Sequence, residues 1–174
     1  MGDLRGDRVT EVPGNDASTS QPRTWPDDWK ERKEGKDCPA CAEGRTDDTG
    51  YGVRFFSGEV ADAYLCRRAT LPGYSVVVFR DRHVADLMDL TPKEVAAFFG
   101  EVQTVARLLT AVFKPAHVNY DFLGNAVPHV HGHVVLRYVD DPAPGRPIGP
   151  PDAREMSVDE FRRQLEELRA AAEG

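Results

Sequence analysis

The stretch Pro128-His129-Val130-His131-Gly132-His133-Val134-Val135 constrains this chain more than any other, because three of its five histidines fall within five residues. Their spacing of two, among Val130, Val134, Val135 and Leu136, predicts a strand over Val130–Val139 with all three imidazoles on one face. Neighbours along one face lie roughly 6.5–7 Å apart, so one ring can touch a metal, the next attack a substrate and the third hold it. A lone strand histidine is commonly a satisfied structural residue, and a core strand fills its buried face with Val or Leu. Three in a row ask for chemistry.

With 174 residues, 40% apolar and 29% charged, the chain suits one well-buried domain with tails. Residues 1–23 mix Gly, Asp, Arg, Ser, Thr and Pro without periodicity and are expected to be a disordered tail. The domain then runs over 24–150, and 151–174 is a C-terminal segment with a helix. The formal charge of −7 argues against broad binding to nucleic acid or an anionic membrane, so any phosphate site must be local. The first residues lack an apolar signal core and no apolar run approaches membrane-spanning length, which makes a cytoplasmic, membrane-free protein the expectation. Three cysteines, two in a C-x-x-C pair, suit a reducing compartment.

Short β-like runs at Tyr51–Phe56, Val60–Cys66 and Tyr74–Phe79 are separated by hairpin-length gaps, which predicts antiparallel pairing. Thr91-Pro92-Lys93-Glu94 is a capping box with Pro at the first helical position. Behind it, Val95, Phe98, Phe99, Val102, Val105, Leu108, Leu109 and Val112 recur at three- and four-residue steps, predicting a helix over Thr91–Phe113 that covers the sheet. A fourth strand, His117–Phe122, precedes the histidine strand, and a second capping box opens a helix over Ser157–Ala172. The expected class is α+β: an antiparallel meander of about five strands with one long covering helix and a C-terminal helix. Trp25 and Trp29 could add one helical turn before Gly35 stops it.

Cys38-Pro39-Ala40-Cys41 could grip a metal ion from a tight turn. The alternative is a redox couple, which would want a strand ahead and a helix opening at the first Cys; polar, Gly- and Asp-containing segments flank the pair instead. His83, in Asp81-Arg82-His83, is either a ligand or a polar residue at a strand end.

LGNAVPHVHGHVVLRY, with VNYDF before it, resembles the histidine-triad (HIT) superfamily, whose signature alternates His with apolar residues. LPGYSVVVFRDRHVADLMDLTPKEV resembles the strand, histidine and helix upstream of that triad, and CPAC resembles the Cys pair of its zinc-containing bacterial members. The likeness covers Cys38 to Pro150 and is nearest to the bacterial proteins grouped with dinucleoside polyphosphate hydrolases. It implies a HIT-like homodimer with a structural zinc on Cys38, Cys41, His83 and His129. His131 would be the nucleophile that forms a nucleotidyl-histidine intermediate, and His133 would donate to a phosphoryl oxygen. Asn119 and Asn125 match phosphate-contacting positions, though Asn125 equally suits a turn after Gly124 and Asn119 a strand edge.

Two positions depart from the family pattern. Gly132 replaces a bulky residue, so a neighbouring strand, a partner subunit or the C-terminal helix is expected to fill the space. Cys66 falls where relatives place an acidic or amide residue for the ribose, and Arg67 and Arg68 beside it either favour extra phosphates or are solvated. Three classes follow: a nucleotidyl hydrolase or transferase, a zinc-structured nucleotide- or phosphate-binding regulatory module with little turnover, and a catalytic metal centre on the histidine row. The last needs an open coordination position, and the two cysteines argue against one.

Overall fold

The alternating apolar runs pair into one antiparallel sheet. The computed structural model describes residues 24–69, 71–148 and 154–172, and the tail expected at 1–23 lies outside them. Ahead of the sheet come two five-residue helices, α1 (Trp29–Lys33) and α2 (Pro39–Glu43). Strands β1 (Gly52–Ser57), β2 (Ala61–Cys66), β4 (Ser75–Phe79), β5 (His117–Asp121) and β6 (His131–Arg137) lie in the order β1-β2-β4-β6-β5. Every neighbouring pair is antiparallel. The long helix α3 (Pro92–Phe113) and the C-terminal helix α4 (Val158–Ala172) complete the α+β architecture expected from the sequence.

The order corrects the meander. After β4 the chain enters α3, which at 22 residues spans roughly 33 Å and carries it past the sheet, so β5 lands on the edge and β6 turns back into the gap beside β4. A second correction concerns the histidines. The strand opens at His131, whereas His129 sits in the bend before it, its N–H bonded to Val127 O at 2.8 Å. A small second sheet, β3 (Arg68–Ala69) on β7 (Arg154–Glu155), was not visible in the sequence because each strand has only two residues.

The helix boundaries follow their caps. Thr91 Oγ1 accepts from the Glu94 N–H at 3.3 Å while the Glu94 carboxylate accepts from the Thr91 N–H at 2.7 Å. Arg82 adds two bonds to Glu94, at 2.7 and 3.0 Å, and with the Thr91 contacts it holds that carboxyl down at about 2. Lys114 ends α3 in the left-handed region, φ 49°. By length and composition α3 could cross a bilayer, against the expectation from the sequence, because Ala and Val between its few charges keep the average apolar. Its apolar face is occupied by the sheet: Phe98, Val102, Val105 and Leu109 pack on Ala63, Val77, Phe79, Val134 and Leu136, each large side chain contributing about 1.5–3 kcal/mol by burial.

The pleat sends the alternate residues to the opposite face, where Val76, Val78 and Val135 lie beside His131 and His133. Gly132 lies between these two histidines on the helix side. A Cβ there would come within 2.9 Å of Phe122 Cζ, so the Phe122 ring, its centroid 5.2 Å from that of Phe99, takes the place of the missing side chain. Of the three fillers expected, it is the neighbouring strand that supplies it, since Phe122 directly follows β5.

Candidate functional site

Among the described residues, Cys38, Cys41, His83 and His129 form a cluster whose ligand atoms all lie within 4.8 Å of one another. The chain reaches it from three directions: the start of α2, the loop after β4 and the bend before β6. Cys38 caps α2, so a helix does open at the first cysteine, five residues long, and the polar, Gly- and Asp-containing segments expected on both sides flank it. Among the described residues no strand precedes it, which leaves the redox arrangement incomplete.

The cluster has the dimensions of a metal site. Cys38 Sγ lies 3.4 Å from His129 Nδ1, and Cys41 Sγ lies 3.5 Å from His83 Nδ1 and 3.6 Å from His129 Nδ1. Metal–sulfur bonds of about 2.3 Å and metal–nitrogen bonds of about 2.0–2.1 Å in a tetrahedron set such edges at about 3.6 Å. The far ring nitrogens are also committed: His129 Nε2 faces Phe79 O at 2.7 Å and His83 Nε2 faces Lys33 O at 3.0 Å. A carbonyl only accepts, so each Nε2 carries the proton and each Nδ1 turns a lone pair to the sulfurs. Desolvation, and after it Cys38, push the Cys41 thiol up to about 11, so a bound cation is what would make the pair anionic. Four protein ligands leave no open position, against the catalytic metal centre.

His131 and His133 stand apart from this cluster on β6, their ring centroids 5.2 Å apart. His131 Nδ1 lies 2.6 Å from the backbone oxygen of His129, so Nδ1 donates, and in the neutral ring the lone pair is on Nε2. His133 Nδ1 lies 2.9 Å from the Tyr74 hydroxyl. Burial, and to a smaller extent His131, push His133 down to about 4, so it is neutral near pH 7. Burial also pushes the Tyr74 hydroxyl up, so that group holds a proton it can donate to Nδ1. With Nδ1 accepting that hydrogen bond, the His133 Nε2 is the N–H. In its neutral form the first imidazole offers a lone pair, and its neighbour offers a donor.

Both rings line a cleft of about 380 Å³ with Val76 and Val78 behind them and Ala40, Glu43 and Tyr51 from the cysteine side. Asn125 lines this cleft too; Asn119 does not, because its side-chain oxygen accepts from Arg137 at 2.7 Å in a separate depression next to β5. Arg67 is held bidentately by Asp48 at 2.7 and 2.8 Å, and Arg68 lies 3.9 Å from Glu155, so neither lines the cleft. Cys66 is buried with Tyr74 and Met156, its thiol pushed up to about 12.

Tyr74, Glu43 and Arg80 were not singled out from the sequence. Arg80 donates to the Ala40 carbonyl between the cysteines and to the Tyr64 hydroxyl at 3.0 Å, and lies 3.7 Å from the fully buried Asp62. It ties the cysteine turn to the sheet. Its one signal was an arginine closing an otherwise apolar strand, Val76-Val77-Val78-Phe79-Arg80.

A family model for the HIT domain matches residues 53–140, which is 88 of the 174 residues. The chain belongs to the HIT family. This HIT protein is 33% identical over 88 residues to a bis(5'-nucleosyl)-tetraphosphatase (asymmetrical) of Schizosaccharomyces pombe, covering 48% of each chain. It is 27% identical over 89 residues to a bis(5'-adenosyl)-triphosphatase of Saccharomyces cerevisiae, covering 48% of this chain and 43% of that one. The chain thus spans about half the length of these relatives. Among solved structures, a Zn-bound histidine triad family protein from Mycobacterium smegmatis matches with a TM-score of 0.60 and 25% identity, over 78% of this chain and 93% of that one. A histidine triad protein from Sinorhizobium meliloti matches with a TM-score of 0.62 and 23% identity, over 69% and 89%.

Proposed function

We propose that this HIT protein is a nucleotide hydrolase or nucleotidyl transferase that cleaves a phosphoanhydride or phosphoramidate of a nucleotide, of the dinucleoside polyphosphate kind, with His131 as nucleophile. The observation that carries the reading is the bond from His131 Nδ1–H to the His129 carbonyl at 2.6 Å, which assigns the lone pair of the neutral ring to Nε2, in a cleft it shares with His133. The names of the tetraphosphatase and triphosphatase relatives support the substrate class.

In the first step the Nε2 lone pair bonds to the α-phosphorus as the bond from phosphorus to the leaving group breaks, and the leaving group departs with that electron pair. The His133 N–H donates to a non-bridging phosphoryl oxygen, and Asn125 adds a polar contact at the mouth of the cleft. Water, or another acceptor in a transferase, then breaks the phosphorus–nitrogen bond and frees His131. A single hard displacement becomes two easier ones. Asn119 would contribute by orienting Arg137 rather than by touching phosphate from its present place.

Zinc fits the Cys38, Cys41, His83 and His129 set; when bound it would lock the turn before α2 to the bend before β6 and take no part in the chemistry. The edge strand β5, with Tyr120 and Leu123 exposed near it, and the partly exposed Phe99 of α3 support a homodimer. The free thiols of Cys38, Cys41 and Cys66 suit a reducing, cytoplasmic setting. A binding module with little turnover is the second reading, and the burial of Cys66 where the ribose contact was expected favours it.

A quenched reaction with substrate labelled at the α-phosphorus tests the mechanism. Acid-labile, base-stable label should appear on His131. Absence of label, together with single-step inversion at phosphorus, would mean that water attacks directly.

A further inference from the structure

The cleft beside His131 is apolar apart from a few groups, and one of these has an unmet bond. Glu43, the last residue of α2, lines it, and its Oε2 is buried with no hydrogen-bond partner among the described residues. A buried acceptor left this way destabilises the fold unless something donates to it. Val76, Val78, Ala40 and Tyr51 line the cleft with Glu43. These are apolar or aromatic surfaces that a nucleoside can lie against, and none of the aliphatic ones can read its sugar.

The residue expected to read the sugar cannot do so. Cys66 is 5% exposed, packed with Tyr74 and Met156, and its thiol holds its proton. A buried thiol is a weak donor and a poor acceptor for two adjacent hydroxyls, whereas a carboxyl group offers two oxygens.

We propose that Glu43 takes over this role and accepts hydrogen bonds from the ribose hydroxyls of the bound nucleotide. The assignment rests on the nucleotide reading above and adds the residue that selects the sugar. It also gives α2 a second task. Cys41 and Glu43 lie two residues apart on one short helix, so the fold of the cysteine turn fixes where the carboxyl group stands. The carboxyl group enters the cleft from a different segment than the strand end where the family pattern looks for it.

Calorimetric titration of the full-length protein with adenosine monophosphate and with its 2′,3′-dideoxy analogue tests this. Wild type should bind the ribonucleotide roughly tenfold to a hundredfold more tightly, the range for hydrogen bonds to a charged group. Glu43→Ala should bind both with the weaker affinity, and Glu43→Gln, which keeps one acceptor oxygen, should recover part of the preference. Both variants should keep the metal content and melting temperature of wild type, which separates lost recognition from lost folding. Unchanged sugar discrimination in Glu43→Ala would overturn the assignment. Wild type binding both nucleotides equally would overturn the Glu43 role alone. Wild type binding neither would overturn the nucleotide reading and this role with it.

Discussion

His131 and His129 are joined by one hydrogen bond, from the ring Nδ1 of the first to the backbone oxygen of the second, 2.6 Å apart. Their rings serve different neighbourhoods: His129 turns its Nδ1 to the cysteines, and His131 lines the cleft. The bend that takes His129 out of the strand is what separates them. The backbone that holds a metal ligand therefore also fixes the tautomer of the attacking ring.

That division predicts unequal effects in the triad. His131→Ala should abolish turnover while leaving nucleotide binding close to wild type, because it removes the attacking atom and little of the cleft. His133→Ala should slow the chemistry by about a hundredfold, the usual cost of one charge-stabilising donor. Single-turnover rates and binding isotherms on the two variants check this, and equal losses in both would contradict it.

The metal set predicts about one equivalent of zinc per chain, measured by metal analysis on protein purified without added metal. Cys38→Ser should lose both the metal and thermal stability, since the ion cross-links segments 91 residues apart. His131→Ala should keep both. A metal-free wild type of unchanged stability would show that the four residues make only thiol–imidazole contacts.

Much of this was legible in the sequence where the signal is local. The capping box at Thr91 and the three- and four-residue apolar steps of α3 placed that helix to within a residue, because both signals are carried by neighbours along the chain. Strand order was not legible: nothing local says that β6 enters between β4 and β5 instead of following on the edge. The cysteine and histidine cluster was found through its resemblance, since residues 38 and 129 meet only in three dimensions. Tyr74, Arg80 and Glu43 stayed hidden for the same reason. A tyrosine starting a strand, an arginine ending one and a glutamate after a cysteine carry no motif, and each acquires a role only from what packs beside it.

Gly132 shows the same dependence on packing and gives a stability test. The Phe122 ring occupies the space of its absent side chain, and Phe98 and Phe99 hold that ring at 6.2 and 5.2 Å. Gly132→Ala should therefore destabilise the protein by about 1–3 kcal/mol, the usual cost of overpacking, despite alanine's better fit to a strand. Adding Phe122→Leu should return part of the loss. Urea midpoints for the single and double variants measure it, and a Gly132→Ala protein as stable as wild type would refute the contact.

His133 predicts an acid sensitivity whose sign can be worked out. Burial first, and His131 second, lower its folded value to about 4, whereas in an unfolded chain it titrates near the ordinary 6.5. Above 6.5 the ring is neutral in both states and costs nothing. As the pH falls from 6.5 towards 4, the unfolded chain takes up a proton that the folded ring still refuses, so stability is lost across that window and levels off below it. The loss should be on the order of 1–3 kcal/mol once partial exposure is allowed for. His129 shifts in the same direction, through burial first, and would blur a measurement on wild type alone. The difference between wild type and His133→Asn isolates the contribution: asparagine can still accept from Tyr74 but does not titrate. Chemical denaturation at pH 7 and pH 5 should show wild type losing more stability than the variant. Equal losses would mean that His133 is protonated in the folded protein well above pH 4, and that its role as a neutral donor in the cleft fails with it.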